Sequence, residues 1–318
     1  MKCKICGNEY NNKSFKVKEM MFGYNDFFDY FECSRCGCLQ ISQVPKDMAK
    51  YYPSNYYSFQ QLENSMLDNI RIKMVRQRDI YALTGHGIIG LALQKIFPAN
   101  HLDFLKKLNI NINTKILDVG CGSGNLLKVL GDIGFRRLYG VDPYIKEGIE
   151  YNNGIKILKN QIHELDDEFD IIMFNHSFEH ISDPNETLKT VSKLLSKNGV
   201  CILRIPTVSS FAWKKYNVNW VQLDAPRHFF LYSLDSIILL ASKSELILNG
   251  FFYDSTDFQF WGSEQYLKGI PLNSSNSYNQ NPRKSMFSES DIKSFKLQAR
   301  VLNANNQGDQ VALYFSKK

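Results

Sequence analysis

An α/β fold, with a mostly parallel sheet behind a small cysteine-rich N-terminal domain, is what this sequence predicts. Three observations carry that expectation. The apolar strand Ile116-Leu117-Asp118-Val119 runs through the bend Gly120-Cys121-Gly122-Ser123-Gly124 into a helix, and a second strand, Leu138-Tyr139-Gly140-Val141, ends at Asp142. Short apolar segments then alternate with helix-like stretches toward the C-terminus. Ahead of all this, Cys3-x-x-Cys6-Gly7 and Cys33-x-x-Cys36-Gly37 repeat one spacing.

A length of 318 residues suits two domains. A hydrophobic content of 44% is enough for a full core, and 22% charged residues is ordinary. The net charge of +6 permits anionic partners such as nucleotides or phosphorylated sugars without demanding nucleic acid. The start Met1-Lys2-Cys3 has no apolar h-region, and no run approaches the ~18 apolar residues of a membrane span. A cytoplasmic protein away from membranes is therefore expected. Most of the seven cysteines fall before residue 39, and in a reducing compartment such a cluster reads as metal ligands rather than disulfides.

Taken in order, residues 1–45 read as a zinc ribbon. Two knuckles, each with a glycine after the second thiolate, give Cys3, Cys6, Cys33 and Cys36 as a closed tetrahedral set for a structural Zn²⁺. Cys38 is left as a free thiol beneath the ribbon, and the aromatic insert at 17–31 suits a hairpin. The run Tyr51-Tyr52-Pro53-Ser54-Asn55-Tyr56-Tyr57-Ser58 closes this first domain at residue 58; its rings can equally serve as buried glue. Residues 59–112 show helical spacing over 62–83 and 88–108 and read as a cap, with Arg71, Lys73, Arg76 and Arg78 a solvated basic face. From residue 113, strands are expected at 116–119, 138–141, 155–158, 169–174, 200–205, 246–254 and 310–315. Helices are expected at 122–133, 185–195 and 233–243, the last with Ser233 as N-cap. The Ser- and Asn-rich run over about 272–285 reads as a lid loop.

The bend and its acids select a ligand. Three glycines in five positions let the backbone turn sharply and approach a ligand with no Cβ in the way. The helix that follows aims unpaired N–H groups and its positive dipole end at the same place. In doubly wound folds an acid ~20 residues further on holds a ribose hydroxyl pair, which is the role expected of Asp142. A dinucleotide would want a glycine where Asn125 stands, and Asp118 adds a charge that repels a pyrophosphate and welcomes a cation. An acid-rimmed G-x-G-x-G loop suits S-adenosylmethionine, which carries an ammonium, a sulfonium and no phosphate.

This stretch resembles motif I of class I S-adenosylmethionine-dependent methyltransferases. Taken further, the chain is similar to bacterial members with an N-terminal zinc ribbon found around sugar and secondary-metabolite pathways. The likeness covers residues 115–260 and 1–58. It implies a Rossmann-like seven-stranded sheet whose last strand, 310–315, runs antiparallel beside the sixth. It also implies S-adenosylmethionine and structural Zn²⁺ as cofactors. Cofactor contacts would come from Asp118, Gly120, Cys121, Gly122, Gly124, Asp142, Pro143, Gln161, Ile162 and Asn175. The tyrosine run matches that family's Y-Y-P-x-x-Y-Y-S, which assigns Tyr57 to the cofactor and Tyr56 to the substrate.

Methyl transfer is an in-line displacement, so the enzyme aligns the partners and removes a proton when the acceptor is a hydroxyl. Two clusters fall where acceptor groups belong, after strands four and five. The first, Asn175-His176-Ser177-Phe178-Glu179-His180-Ile181-Ser182-Asp183-Pro184, resembles the E-H-h-x-D-P motif of small-molecule methyltransferases. His176, Glu179 and His180 could also bind a divalent ion. The second, Asp224-Ala225-Pro226-Arg227-His228-Phe229-Phe230-Leu231-Tyr232-Ser233, resembles the x-E-H-x-x-x-[FY]-S segment of nucleotide-sugar C-methyltransferases, with Arg227 where their glutamate stands. That departure favours a hydroxyl acceptor over carbon. His228 is then the base, with His180, Glu179 and His176 assisting. Arg227 would clamp a carboxylate or phosphate of the acceptor. The partner expected is a small molecule, of nucleotide-sugar or polysaccharide-precursor type. Carbon methylation of a nucleotide-sugar, RNA base methylation and a non-catalytic cofactor-binding module are the alternatives, and no RNA-binding signature supports the second of these.

Overall fold

The computed structural model describes residues 1–53, 68–98, 100–108 and 110–318. Tyr56 and Tyr57 lie outside them, as do positions 62–67 of the first expected helix. In chain order, β1 (Lys13–Lys18), β2 (Phe27–Glu32) and β3 (Leu39–Ile41) precede α1 (Asp68–Thr84), α2 (Ile88–Ile96) and α3 (Asp103–Lys106). There follow β4 (Lys115–Val119), α4 (Asn125–Ile133), β5 (Arg137–Val141), β6 (Ile149–Glu150), β7 (Lys156–Leu158) and β8 (Phe169–Asn175). Next are α5 (Pro184–Leu194), β9 (Leu195–Pro206), α6 (Phe211–Tyr216), β10 (Phe230–Leu231) and α7 (Leu234–Ser242). The chain ends with β11 (Leu246–Tyr253), α8 (Phe258–Leu267), α9 (Glu289–Ala304) and β12 (Gln310–Lys317).

Two compact units result, one of Ser54–Asn175 with Leu194–Cys201, the other of Met1–Pro53, His176–Lys193 and Ile202–Lys318. In the first, the strand order is β9-β8-β4-β5-β7-β6. β4 pairs in parallel with both β5 and β8, and β5 with β7, so their carboxyl ends share one edge. Every residue of β4 is buried, as befits a central strand covered on both faces. The chain steps from β4 to β5 on one side and later to β8 on the other. That reversal opens a crevice at the carboxyl end of β4, the place where doubly wound sheets hold ligands. α4 buries Leu127 and Leu130 and stops at Gly134, whose left-handed backbone no β-carbon-bearing residue adopts cheaply.

In the second unit an antiparallel sheet runs β1-β2-β3-β10, and β9 continues beside β12 and β11. β12 is antiparallel to β11, as expected, with a bulge between Leu248 and Gly250. With β6 included, β4 to β9 together with β11 and β12 form an eight-stranded order rather than the expected seven. The addition is a two-residue strand antiparallel to β7, too short to leave a periodic signal.

The expected lid at 272–285 is instead tied down. The N–H groups of Leu272 and Asn273 donate to the carbonyls of Met20 and Met21, at 2.9 Å each. Gln265 donates to Ser277 Oγ and accepts from Tyr278 N–H, and Ser277 is fully buried. Much of the run is exposed, and these bonds fasten it at Leu272, Asn273, Ser277 and Tyr278. Three helices were not foreseen. α8 buries Gln259, Ser263 and Gln265, which erases its apolar stripe, and α6 is short. α9 does start at a readable capping box, Ser288 with Asp291. Among the described residues no helix is long and apolar enough to cross a membrane.

Candidate functional site

The glycine bend sits at the carboxyl end of β4, in the unit of the parallel strands. Gly120, Gly122 and Gly124 all hold positive φ, and a Cβ on Gly124 would meet Ile157 Cδ1 at 2.2 Å. The turn therefore needs glycine there for conformation and space alike. Asp142 fixes the bend from the end of β5: its Oδ2 accepts from Gly122 N–H and its Oδ1 from Tyr144 N–H, both at 2.8 Å. Burial pushes the Asp118 carboxyl up to about 8, and the Asp142 charge adds to the push. Burial also raises Asp142, against the backbone N–H groups that lower it. Two buried acids beside a backbone cradle are fitted to a cationic ligand, which favours their ionised forms, and hostile to a pyrophosphate. That is the fit S-adenosylmethionine requires. Cys121 and Pro143 are partly exposed at this edge, as is Asn175, the last residue of β8. Gln161 is exposed and its N–H bonds Glu164, whereas Ile162 is buried.

The other unit holds the cysteine tetrad. Cys3 Sγ lies 3.6 Å from Cys36 Sγ, and Cys6 Sγ 3.4 Å from Cys33 Sγ, with all four sulfurs within 4.8 Å of one another. A tetrahedral Zn²⁺ with bonds of about 2.3 Å sets its sulfurs about 3.8 Å apart, so the donor set fits. Separations this long exclude disulfides, and all seven thiols are free. The knuckles are duplicates: Gly7 N–H donates to Cys3 O and Gly37 N–H to Cys33 O. Both glycines adopt the left-handed φ that such a turn needs. The module is bonded to the segment carrying the second expected cluster. Tyr30 OH donates to His228 O (2.8 Å), Ile41 N–H to Phe229 O (3.0 Å), and Ser233 Oγ to Cys36 O. Ser233 also caps α7 through Ser236 N–H.

Both acceptor-side clusters lie in this same unit and meet. The ring centroids of His180 and His228 are 4.7 Å apart. His180 Nδ1 is 2.8 Å from Arg227 O, and His228 Nδ1 is 2.7 Å from Gln222 O. A nitrogen facing a carbonyl must carry the hydrogen, so both Nε2 atoms keep bare lone pairs. Tyr52 OH adds a contact to His180 Nδ1 at 3.2 Å. Glu179 is fully buried, and neither of its carboxylate oxygens has a hydrogen-bond partner among the described residues. Its Oε1 stands 3.8 Å from both His228 Nε2 and His176 Nδ1. Burial raises Glu179 to about 8 and drops His180 to about 3, and it lowers His176 and His228 as well. His176 and Asp224 both take left-handed backbone, a strain tolerated where a fold over-determines a site.

Arg227 corrects the expectation of an acceptor clamp. It is fully buried; its Nη2 donates to Glu19 Oε1 (3.1 Å) and Asp224 Oδ1 (2.6 Å), its Nε to Asp224 Oδ2 (2.9 Å). Nη1 reaches Tyr51 O at 3.4 Å. A guanidinium committed to these partners steadies the loop whose carbonyl orients His180. Burial works against the Asp224 charge, yet Arg227 keeps that carboxyl below its ordinary value. The sequence reading missed Glu19. Its carboxylate collects the N–H groups of Met21, Phe22, Gly23 and Tyr24 as well as Arg227. Its one readable signal was an acid immediately ahead of a glycine-containing turn.

Residues 92–246 match a family model described as "Methyltransferase domain". The chain is similar to the ubiquinone biosynthesis O-methyltransferase of Caulobacter sp. (strain K31), 28% identical over 120 residues, or 34% of this chain and 47% of that one. It is also similar to the ribosomal protein L11 methyltransferase of Thermosipho africanus (strain TCF52B), 34% identical over 124 residues, 36% and 46% of the two chains. The chain thus spans about half the length of these relatives. Among solved structures, an S-adenosylmethionine-dependent methyltransferase from Mesorhizobium loti aligns over 68% of this chain and 97% of its own (13% identity, TM-score 0.44). The cyclopropane synthase MmaA2 from Mycobacterium tuberculosis aligns over 77% and 98% (14% identity, TM-score 0.44).

Proposed function

We propose that this chain, whose residues 92–246 are a class I S-adenosylmethionine-dependent methyltransferase domain, moves a methyl group to a hydroxyl of a small, sugar-like or secondary-metabolite acceptor. One observation carries the hydroxyl reading: His180 and His228 both turn Nδ1 to a backbone carbonyl, which leaves Nε2 as the lone-pair nitrogen of each ring, beside a Glu179 whose carboxyl oxygens have no hydrogen-bond partner among the described residues. A hydroxyl brings a proton that must leave as the carbon–oxygen bond forms. The bound cofactor supplies the electrophilic methyl. Asp118 faces its cationic end, and the Asp142 carboxylate, already aligned by two N–H groups, has lone pairs left for a ribose. In sequence, His176 of the acceptor cluster follows Asn175, the last residue of β8.

His228 is the proposed base. Its Nδ1–H is held by Gln222 O, and the imidazolium formed at Nε2 would find Glu179 and Asp224 carboxylate oxygens at 3.8 and 3.9 Å. The cysteine tetrad is proposed to hold a structural Zn²⁺, and through the Tyr30 hydroxyl its module steadies His228. The sugar-like acceptor is inferred from the E-H-I-x-D-P and H-x-x-x-Y-S segments. Paired variants test the assignment. Asp142→Ala should lose cofactor binding by calorimetry, whereas His228→Ala should bind cofactor normally and lose turnover by ~10²–10⁴-fold. Label from methyl-tritiated cofactor should enter a small-metabolite pool and not total RNA; retained turnover in His228→Ala, or label in RNA, would overturn the reading.

A further inference from the structure

We propose that Arg204 and His176 are positioning residues for the methyl transfer: Arg204 fixes the hydrogen of the His176 ring on Nδ1, and that hydrogen steadies an ionised Glu179 beside His228. The proposal rests on reading His228 as the base. Arg204 lies on β9 and is anchored from behind. Its Nε donates to Asp254 Oδ2 at 2.6 Å, and Gln310 Nε2 donates to Asp254 Oδ1 at 2.6 Å. Arg204 then grips His176 twice. Its carbonyl accepts from the His176 backbone N–H at 2.9 Å, and its Nη1 stands 3.0 Å from His176 Nε2. His176 sits in left-handed backbone, which costs a residue with a β-carbon, so its place is imposed by contacts such as these.

The second grip decides the tautomer. A guanidinium only donates and keeps its proton, so the nitrogen facing it must be the one with the lone pair. Burial, with the Arg204 charge next, keeps the His176 ring neutral; its single hydrogen is therefore on Nδ1. Nδ1 lies 3.8 Å from Glu179 Oε1, and the same oxygen lies 3.8 Å from His228 Nε2. These contacts are electrostatic rather than hydrogen bonds, and they count because Glu179 is fully buried and little water screens it. All the residues of this chain of contacts belong to one unit. In the reaction the acceptor O–H bond breaks and its proton goes to His228 Nε2. The oxygen bonds the methyl carbon as the carbon–sulfur bond breaks, its electron pair staying on sulfur. The imidazolium so formed is favoured by an anion at Glu179 and not by a neutral acid. Burial holds the Glu179 carboxyl up at about 8; the Asp224 charge adds to the push and the Arg204 charge opposes it. His176, His228 and Tyr232 are the other titratable groups coupled to it. Below that value Glu179 holds a proton, so turnover should rise with pH through it. Loss of the His176 hydrogen should move the rise to higher pH.

Nuclear magnetic resonance on the full, zinc-loaded chain, with isotope-labelled histidine and glutamate, tests this without an acceptor. The wild-type His176 ring should show its hydrogen on Nδ1, and Glu179 should titrate at about 8. Arg204→Met should let the hydrogen move to Nε2 and raise the Glu179 midpoint by about one unit. His176→Leu should raise it as far. His176→Gln should leave it near the wild-type value, because its amide offers an oxygen to Arg204 and an N–H to Glu179. Transfer of label from methyl-tritiated cofactor into the small-metabolite fraction of a cell extract should fall ~10-fold at pH 7 in Arg204→Met and recover at higher pH. A merely structural defect would lower it at every pH. Circular dichroism reports which variants are folded. A wild-type ring with its hydrogen on Nε2, or a midpoint unmoved in folded Arg204→Met, overturns the proposal and leaves the enzymatic reading standing. If Arg204→Met does not fold, equal midpoints in His176→Leu and His176→Gln overturn it. Midpoints that move as expected in a protein that labels no small molecule overturn the reaction instead.

Discussion

Glu19 and Glu179 are the same residue type, both fully buried and both in the unit that carries the cysteine tetrad. They differ in what surrounds the carboxylate. Glu19 accepts from four consecutive backbone N–H groups and from Arg227. Glu179 accepts from none of the described residues. A buried charge with every lone pair answered is architecture; a buried acid with none answered is a site awaiting its partner. Burial alone therefore does not separate scaffold from chemistry here, and hydrogen-bond satisfaction does.

The comparison is most exposed at Glu19. Glu19→Ala would strand the Arg227 guanidinium and four N–H groups in the interior. The expected cost is about 3–5 kcal/mol, read as a lowered denaturation midpoint. A midpoint equal to wild type would make Glu19 incidental. Glu179→Met should do the opposite: replacing an unanswered acid by an apolar side chain of similar length should stabilise by about 1–2 kcal/mol. Turnover should be lost in the same variant. If Glu179→Met instead unfolds the protein as readily as Glu19→Ala does, both glutamates are scaffold and the contrast fails.

The same distinction explains what could be read from the sequence. Features governed by local rules were visible: the 116–124 strand and bend, the Ser233 cap, the duplicated cysteine knuckles and the final antiparallel strand. Each is set by a few adjacent residues or by a repeated spacing. Arg227 was misread because, besides the nearby Asp224, the partners that bury it lie far away in sequence. Glu19 is 208 positions distant, and no motif announces a pairing at that range. Glu179 was visible just past the end of β8 and His228 from its motif, although β9 ends at Pro206 with α6 between; the lone-pair Nε2 atoms were not visible. Those depend on Gln222 O and Arg227 O, backbone groups that any side chain could have carried. At 272–285 the bond between Gln265 and the buried Ser277 was illegible for a related reason, since a run of Ser and Asn does not show which member turns inward.

The smallest expected effect extends the comparison to the other unit. Asp118, like Glu179, is a buried acid raised to about 8, with the Asp142 charge as the second cause; Cys121, the other titratable group beside the pair, is itself pushed up by burial. Below that value Asp118 is protonated in the free protein, and it must ionise to meet the ammonium or sulfonium of the cofactor. Binding should therefore release a proton, and affinity should rise with pH up to about 8, by at most ~10-fold per unit. Above it the cofactor's own amine, with a pKa near ~8, begins to lose its charge, so the rise should flatten and then reverse. Calorimetry in buffers of differing ionisation heat reads the proton directly. A flat affinity between pH 6 and 8, with no proton released, would mean that Asp118 does not face the cation and that its burial, like that of Glu19, belongs to the scaffold.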